Sequence, residues 1–423
     1  MAYKDLYYYY GMVWNQFAIA EALYHGHWFS VDYKVVDAVQ QDSAKKHKFI
    51  PIEEWGNYPK SGNYTGFQVG ELPGMGYLIA MTSKMMGSEL TSRYALIIQI
   101  FLELTSILIF VYCISLILGE NVAFIAGIIY IFGYPFIWPI AVHPMRDIFV
   151  MGTYSFYLMA FILFSRRQDF WVYFVIIAFV ILAALLLWFR LSAYYFFFFV
   201  SPLVFFLKNI KMSQRIFFFL ISMLISVMIF GYPFRQFNIR HYKMAEVDYL
   251  GRFLWEGMGI EENNQYGFVC DDGAIVPWAE SRGYNYYYGS PELNKLLGDY
   301  ARKIIKEDPL FYFKTVRKRI IKIIKFPLDI ASPSGCFGLY VKYGKCFFNL
   351  GIIFSILMVI FSPGKRIQLI VLLTPFFYIL LFQIFVYFEA RYLATGAWVL
   401  ILPFAWLIEK LLFFIRKFFK CVA

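Results

Sequence analysis

The residues of this chain whose types could do chemistry are few. Glu71, Asp147, Arg190, Glu389 and Arg391 each stand at the edge of an apolar run, and Arg93 opens one. Charge at the edge of or inside such a run is costly to bury, so each of these residues is a functional candidate by default. His143-Pro144-Met145-Arg146-Asp147 brings an acid and a base into one tight link, and Glu389-Ala390-Arg391-Tyr392 repeats the combination. The structural alternatives are a helix cap for Asp147 and an interfacial anchor for Arg391 and Tyr392. Glu71-Leu72-Pro73-Gly74-Met75-Gly76-Tyr77 leads an acid into a short apolar helix expected over 74–86, though its Pro and Gly also suit a plain helix start. Glu103 lies about three turns inside its run, where a hydrogen-bonded packing carboxyl is favoured over a proton relay. His25-Gly26-His27 with nearby Asp32 is a weak metal pattern, unsupported by an HExxH, a paired CxxC or a nucleophile elbow.

A phosphate carried on a lipid would lie at the depth of these residues, where arginines would neutralise it through charge-assisted bonds. A carboxylate there could take the proton of an incoming hydroxyl, an effect contributing about 10²–10⁴-fold. Together they describe sugar transfer from a polyprenyl-phosphate donor to a glycan, lipid or protein acceptor. Cations or a divalent metal would stabilise the leaving phosphate.

The elements that must hold these groups follow from composition. Of 423 residues, 61% are hydrophobic and only 16% charged, against about 25% charged in a soluble domain. Water cannot be the sole solvent of such a chain, and the expected fold class is an all-α polytopic membrane protein. Nine apolar runs suit crossings, at 92–118, 122–140, 148–164, 170–189, 192–207, 216–234, 346–361, 367–388 and 393–415. The net charge of +11 falls largely between alternate runs, at Arg166-Arg167, Lys208–Arg215, Lys365-Arg366 and Arg416–Lys420. The positive-inside rule makes those loops cytoplasmic and removes the case for a nucleic-acid partner.

Four segments result: an outer first loop at 1–91, six crossings over 92–234, an outer segment at 235–345, and three crossings with a basic cytoplasmic tail over 346–423. The expected location is the plasma membrane. Because 1–91 lacks a signal peptide or spanning run that would export it, a further helix is expected upstream of Met1. Within 235–345, Ser290-Pro291 opens a helix over 292–306, and a second, basic and aromatic helix follows Asp308-Pro309, a type suited to an anionic membrane surface. Five cysteines are too few for a disulfide framework, and only Cys336 and Cys346 lie near enough in one loop to suggest a bridge. Asn63-Tyr64-Thr65 has the form of a glycosylation sequon.

The order of these features resembles the GT-C superfamily of integral-membrane glycosyltransferases, in particular the protein O-mannosyltransferase and aminoarabinose transferase branch. Trp14 to Gly26 is similar to the family's first-loop helix ending in Gly, and Glu71 to Tyr77 to its acid-x-Pro segment followed by Gly-Tyr. Arg93, Asp147, Arg190 and Arg391-Tyr392 match charged residues at later helix ends. Trp255-Glu-Gly-Met-Gly, Tyr266-Gly267, Asp271-Asp272 and Asp308-Pro309 are similar to an outer loop of bacterial members. The resemblance implies a multi-pass transferase using a polyprenyl-phosphate sugar. It implies Asp5, Asp147 and Glu71 as its acids and Arg93, Arg190, Arg391, Tyr392, Tyr77 and His143 as its substrate-binding residues. The family spacing of the principal acid lands at Gly11–Met12, which makes Asp5 the nearest acid. Two other functions use the same residues: a lipid or polysaccharide transporter, where they line a path, and an inactive binding relative, suited by the displaced acid.

Overall fold

The computed structural model describes residues 7–27, 31–46, 50–60, 72–133, 146–166, 169–244, 247–286, 288–325, 336–387 and 395–422. The chain divides into two compact units. One comprises Met1–Thr91, Pro233–Ile330 and Ile379–Leu393; the other comprises Ser92–Tyr232, Ala331–Tyr378 and Ala394–Ala423.

In the first unit, helix α1 (Tyr7–Tyr24) buries Phe17, Ile19, Ala20 and Leu23. It ends at Gly26, whose φ of +89° is open to glycine at little cost, while the His27 N–H returns to the Ala22 carbonyl at 2.8 Å. Helix α2 (Tyr33–Lys46), a 3₁₀ turn at Ile52–Asn57 and helix α3 (Gly74–Met85) complete this segment. Trp55 is fully buried with its ring edge-on to Phe17 at 5.8 Å. Gly76 lets α3 approach α1, because a Cβ there would collide with the Ile19 side chain.

The second unit starts with α4 (Arg93–Leu118), α5 (Glu120–Gly133) and α6 (Asp147–Arg166). Helix α7 (Phe170–Leu185) continues as a 3₁₀ turn over Leu186–Phe189, and α8 (Ser192–Val200) as another over Ser201–Phe206. Helix α9 (Met212–Ser226) passes through a π turn at Val227–Gly231 into α10 (Tyr232–Tyr242), which from Pro233 onward belongs to the first unit. Helix α6 is the core of this bundle: 89% of its apolar window is buried, against 33%, 28% and 22% for the spans containing α4, α7 and α9. Its small residues Gly152, Ser155 and Ala160 allow close neighbours, and Tyr157 shares a 2.5 Å hydrogen bond with Ser201. The outer helices leave Phe101, Leu108, Phe124 and Trp171 exposed, an apolar surface that suits lipid.

The first unit resumes with α11 (Gly251–Met258), α12 (Ile275–Glu280), α13 (Pro291–Glu307) and α14 (Pro309–Lys325). Trp255, Met258, Phe268, Ile275, Leu293 and Leu297 form their shared core. Ser290 caps α13 by accepting the Leu293 N–H at 3.2 Å, with Pro291 in the first turn, as its sequence predicts.

The chain closes with α15 (Cys336–Phe361), α16 (Arg366–Phe385) and α17 (Ile401–Val422). Among the described residues the fold is helical without strands. Six of its helices are long and apolar enough to cross a membrane: Arg93–Leu118, Ile148–Arg166, Phe170–Phe189, Met212–Arg240, Pro363–Phe385 and Thr395–Phe419. Shorter apolar helices at Glu120–Ile131, Ser192–Phe206 and Cys346–Phe361 fall on the other three expected crossings. The suggested Cys336–Cys346 bridge is corrected. Both residues belong to the single helix α15, where ten residues of separation amount to about 15 Å along the axis, beyond the reach of a disulfide. Cys346 is a free thiol.

Candidate functional site

Three of the charged residues picked out by sequence gather at one end of the second unit. Helices α4 and α6 run parallel, because Leu102 of α4 meets Gly152 of α6, and near their other ends Cys113 lies 3.6 Å from Met159, sulfur to sulfur. Helix α7 runs back antiparallel, so the 3₁₀ turn leading to Arg190 returns to the start of α6. There Phe149 and Phe189 stack with ring centroids 3.7 Å apart. Arg93 is the first residue of α4 and exposed, Asp147 is the first residue of α6, and Arg190 is half-buried in the extended link before α8. Arg93 stands about 14 Å along its helix from Leu102, and Asp147 about 8 Å along its own from Gly152, so Arg93 reaches some ~6 Å further outward. The Tyr378 hydroxyl donates to the Ser192 carbonyl at 2.6 Å, fixing the link just after Arg190.

The two ends of this unit differ chemically. The N-termini of α4, α6 and α8 and the side chains of Arg93, Arg146 and Arg190 collect positive charge at the first end, which suits an anion. At the opposite end arginines satisfy main-chain carbonyls: Arg166 donates to Leu116, and Arg215 donates to Ile210 at 2.8 Å and Phe205 at 2.9 Å. An apolar groove of about 430 Å³ lies at that opposite end, between Phe170, Tyr173, Phe174 and Phe217, away from the charged set. Glu103 accepts the Tyr130 hydroxyl at 2.7 Å, the packing role its position predicted.

The remaining sequence candidates divide. Tyr77 belongs to the first unit, half-buried on α3, and burial pushes its phenol above the ordinary value of 10. The adjoining Gly76 N–H donates to Gln16 Oε1 at 3.2 Å. Asp5, Glu71, His143, Arg391 and Tyr392 lie outside the described residues, as does the sequon at Asn63, and the side chain of Asp147 is likewise not described. The His25, His27 and Asp32 metal pattern gains no support: among the described residues no three His, Cys, Asp or Glu side chains are grouped to hold an ion. His25 instead meets Glu21 at 3.4 Å, and the same buried carboxylate pairs with Lys60 at 2.5 Å. That pair spans 39 positions, and no local pattern signals it.

Sequence reasoning also missed a polar chain in the first unit. Arg252 Nε lies 3.2 Å from Oε1 of the buried Glu256, and its Nη1 donates to the Tyr288 hydroxyl at 2.6 Å. Burial raises the Tyr288 phenol well above 10. Arg252 and Glu256 stand one helical turn apart, a spacing that could have revealed the pair. Nearby, Arg319 is fully buried, donating to the Ile384 carbonyl at 2.7 Å and the Gly257 carbonyl at 2.5 Å. Compared with protein-family models, curated proteins and solved structures, the chain matches none of them.

Proposed function

We propose that the protein is a multi-pass membrane glycosyltransferase of GT-C type, moving a sugar from a polyprenyl-phosphate donor to an acceptor on the outer face of the plasma membrane. The observation that carries this reading is the gathering of Arg93, Asp147 and Arg190 at one end of the helical bundle. In the full reading the nine apolar segments are nine crossings, the basic loops face the cytoplasm, and residues 1–91 and 235–345 face outward.

In the reaction, an acceptor hydroxyl oxygen bonds to the anomeric carbon as that carbon's bond to the phosphate oxygen breaks. The hydroxyl proton passes to a carboxylate, assigned to Asp5 or Asp147 with Glu71 in support, and polyprenyl phosphate leaves with the bonding pair. Arg93, Arg190 and Arg391 neutralise the leaving phosphate, while Tyr392, Tyr77 and His143 help to seat the substrate. The test uses vesicles holding the full chain and a labelled polyprenyl-phosphate sugar. Transfer of label to acceptor is expected, and Asp5→Asn and Asp147→Asn should abolish it. Lipid translocation without transfer would overturn the proposal and favour a transporter.

A further inference from the structure

Helix α14 carries two apolar faces, and only one serves the fold. Phe311, Thr315, Val316, Arg319 and Ile323 are buried against the first unit. Leu310 and Phe313 remain 72% and 61% exposed, and Ile320 and Ile321 are each 38% exposed. At 3.6 residues per turn these four span about 100° of the helix surface. Lys314, Lys318, Lys322 and Lys325 do not scatter around that stripe. Their phases put Lys314, Lys318 and Lys325 on one flank, between the exposed apolar stripe and the buried face, while Lys322 falls at the rim of the buried face and the exposed Arg317 within the stripe.

The depth of α14 is fixed by its bonds to a membrane-spanning helix. The last carbonyls of a helix have no partner within it, and α14 supplies partners to the last turn of α16. Arg319 Nε donates to the Ile384 carbonyl at 2.7 Å, and the Tyr312 hydroxyl donates to the Phe385 carbonyl at 2.6 Å. Helix α16 belongs to the span Pro363–Phe385. Its last turn therefore marks the level where hydrocarbon gives way to headgroups, and α14 is held at that level. An exposed apolar stripe with lysines along one edge matches such a boundary: the stripe enters the acyl region and the ammonium groups extend to the phosphates.

We infer that α14 is a docking surface for anionic phospholipid, with Leu310, Phe313, Ile320 and Ile321 among the acyl chains and Lys314 and Lys325 holding the headgroup phosphates, while Lys318 on the same flank pairs with Glu261 at 3.0 Å. The inference requires that α16 spans the bilayer, and it is independent of sugar transfer. Its failure with transfer intact, or the reverse, would separate the two.

The test places a fluorophore at Phe313→Cys in the full chain, with the five native cysteines replaced by alanine. The chain is reconstituted in phosphatidylcholine vesicles with or without phosphatidylglycerol. Nitroxide-labelled phosphatidylglycerol should quench the probe at least about fivefold more strongly, at equal content, than nitroxide-labelled phosphatidylcholine, the selectivity one lysine supplies. A probe on exposed Asp299 of α13 should be quenched by neither lipid. A second measurement leaves the cysteines in place: electron spin resonance of labelled lipids should show phosphatidylglycerol retained by the native chain, and the Lys314→Gln, Lys325→Gln variant should lose that preference. Absence of quenching at 313 would overturn the docking surface, as would protection of 313 by a second copy. Equal quenching by both lipids would overturn its anionic selectivity.

Discussion

Asp308 ends α13 with its N–H, given to the Ile304 carbonyl at 2.7 Å, and opens α14 with its carboxylate, which accepts the Phe311 N–H at 3.0 Å and the Tyr266 hydroxyl at 2.7 Å. The Phe311 N–H, followed by the Tyr266 hydroxyl, holds this carboxyl below its ordinary value of 3.8. A carboxyl depressed in the folded state contributes stability that is complete above the unfolded value and is lost as pH falls through the folded one. The protection factor of the Phe311 amide should therefore fall on acidification below about pH 4, and Asp308→Asn should lower it at neutral pH and remove that acid dependence. Arg319 sets a different expectation. Burial draws its guanidinium down to about 10, so it stays charged at neutral pH, and main-chain carbonyls take the place of a carboxylate partner. Arg319→Met keeps much of the volume but strands those carbonyls, at a cost of about 3 kcal/mol. Thermal unfolding in detergent should register that loss, and Arg319→Lys should recover only part of it, because an ammonium cannot match the planar fork. Among basic residues of α14 nothing in the local sequence marks Arg319 from Arg317. Only helical phase does, by aligning Arg319 with Phe311, Thr315 and Ile323.

At the level of elements, the long apolar helices were legible because the bilayer demands uninterrupted runs, and the start of α13 because Ser290-Pro291 is a local signal with a local effect. The π turn at Val227–Gly231 was not legible: its residues, Val-Met-Ile-Phe-Gly, read like any other stretch of the span. Its cause is tertiary. The Trp188 indole donates to the Ile229 carbonyl at 3.3 Å, and a Cβ on Gly231 would stand 2.6 Å from the Tyr194 hydroxyl oxygen. Gly231→Ala should therefore destabilise the bundle by about 1–3 kcal/mol through overpacking. Tyr194→Phe removes the obstructing oxygen and leaves the ring carbon at 3.3 Å, so the double variant should regain most of the loss. A double-mutant cycle on thermal midpoints measures the coupling, and additive losses would contradict this packing.

For the whole molecule, the six long apolar helices were readable from the sequence, since each is an uninterrupted apolar run. The candidate site was readable only in part. Arg93, Asp147 and Arg190 declared themselves as charges at run ends, whereas Glu21 with Lys60 and Arg319 with Ile384 depend on chain segments meeting across distance. The proposed outward placement of 235–345 can be measured directly, because Cys270 is exposed and Cys113 buried. With the other four cysteines replaced by alanine, a membrane-impermeant maleimide added outside intact cells should label Cys270, and Cys270→Ser should remove that signal; labelling only after the membrane is opened would reverse the topology. The clamp between Arg319 and Ile384 also has a history in time. Its two ends are 65 residues apart, and a ribosome adding about 5–20 residues per second leaves an interval of roughly 3–13 s. During that interval the guanidinium and the Gly257 carbonyl have been synthesised but the Ile384 carbonyl has not. A nascent chain arrested before Ile384 is thus an unfinished fold rather than a shorter one, because α14 has been made without the carbonyl that anchors Arg319 Nε.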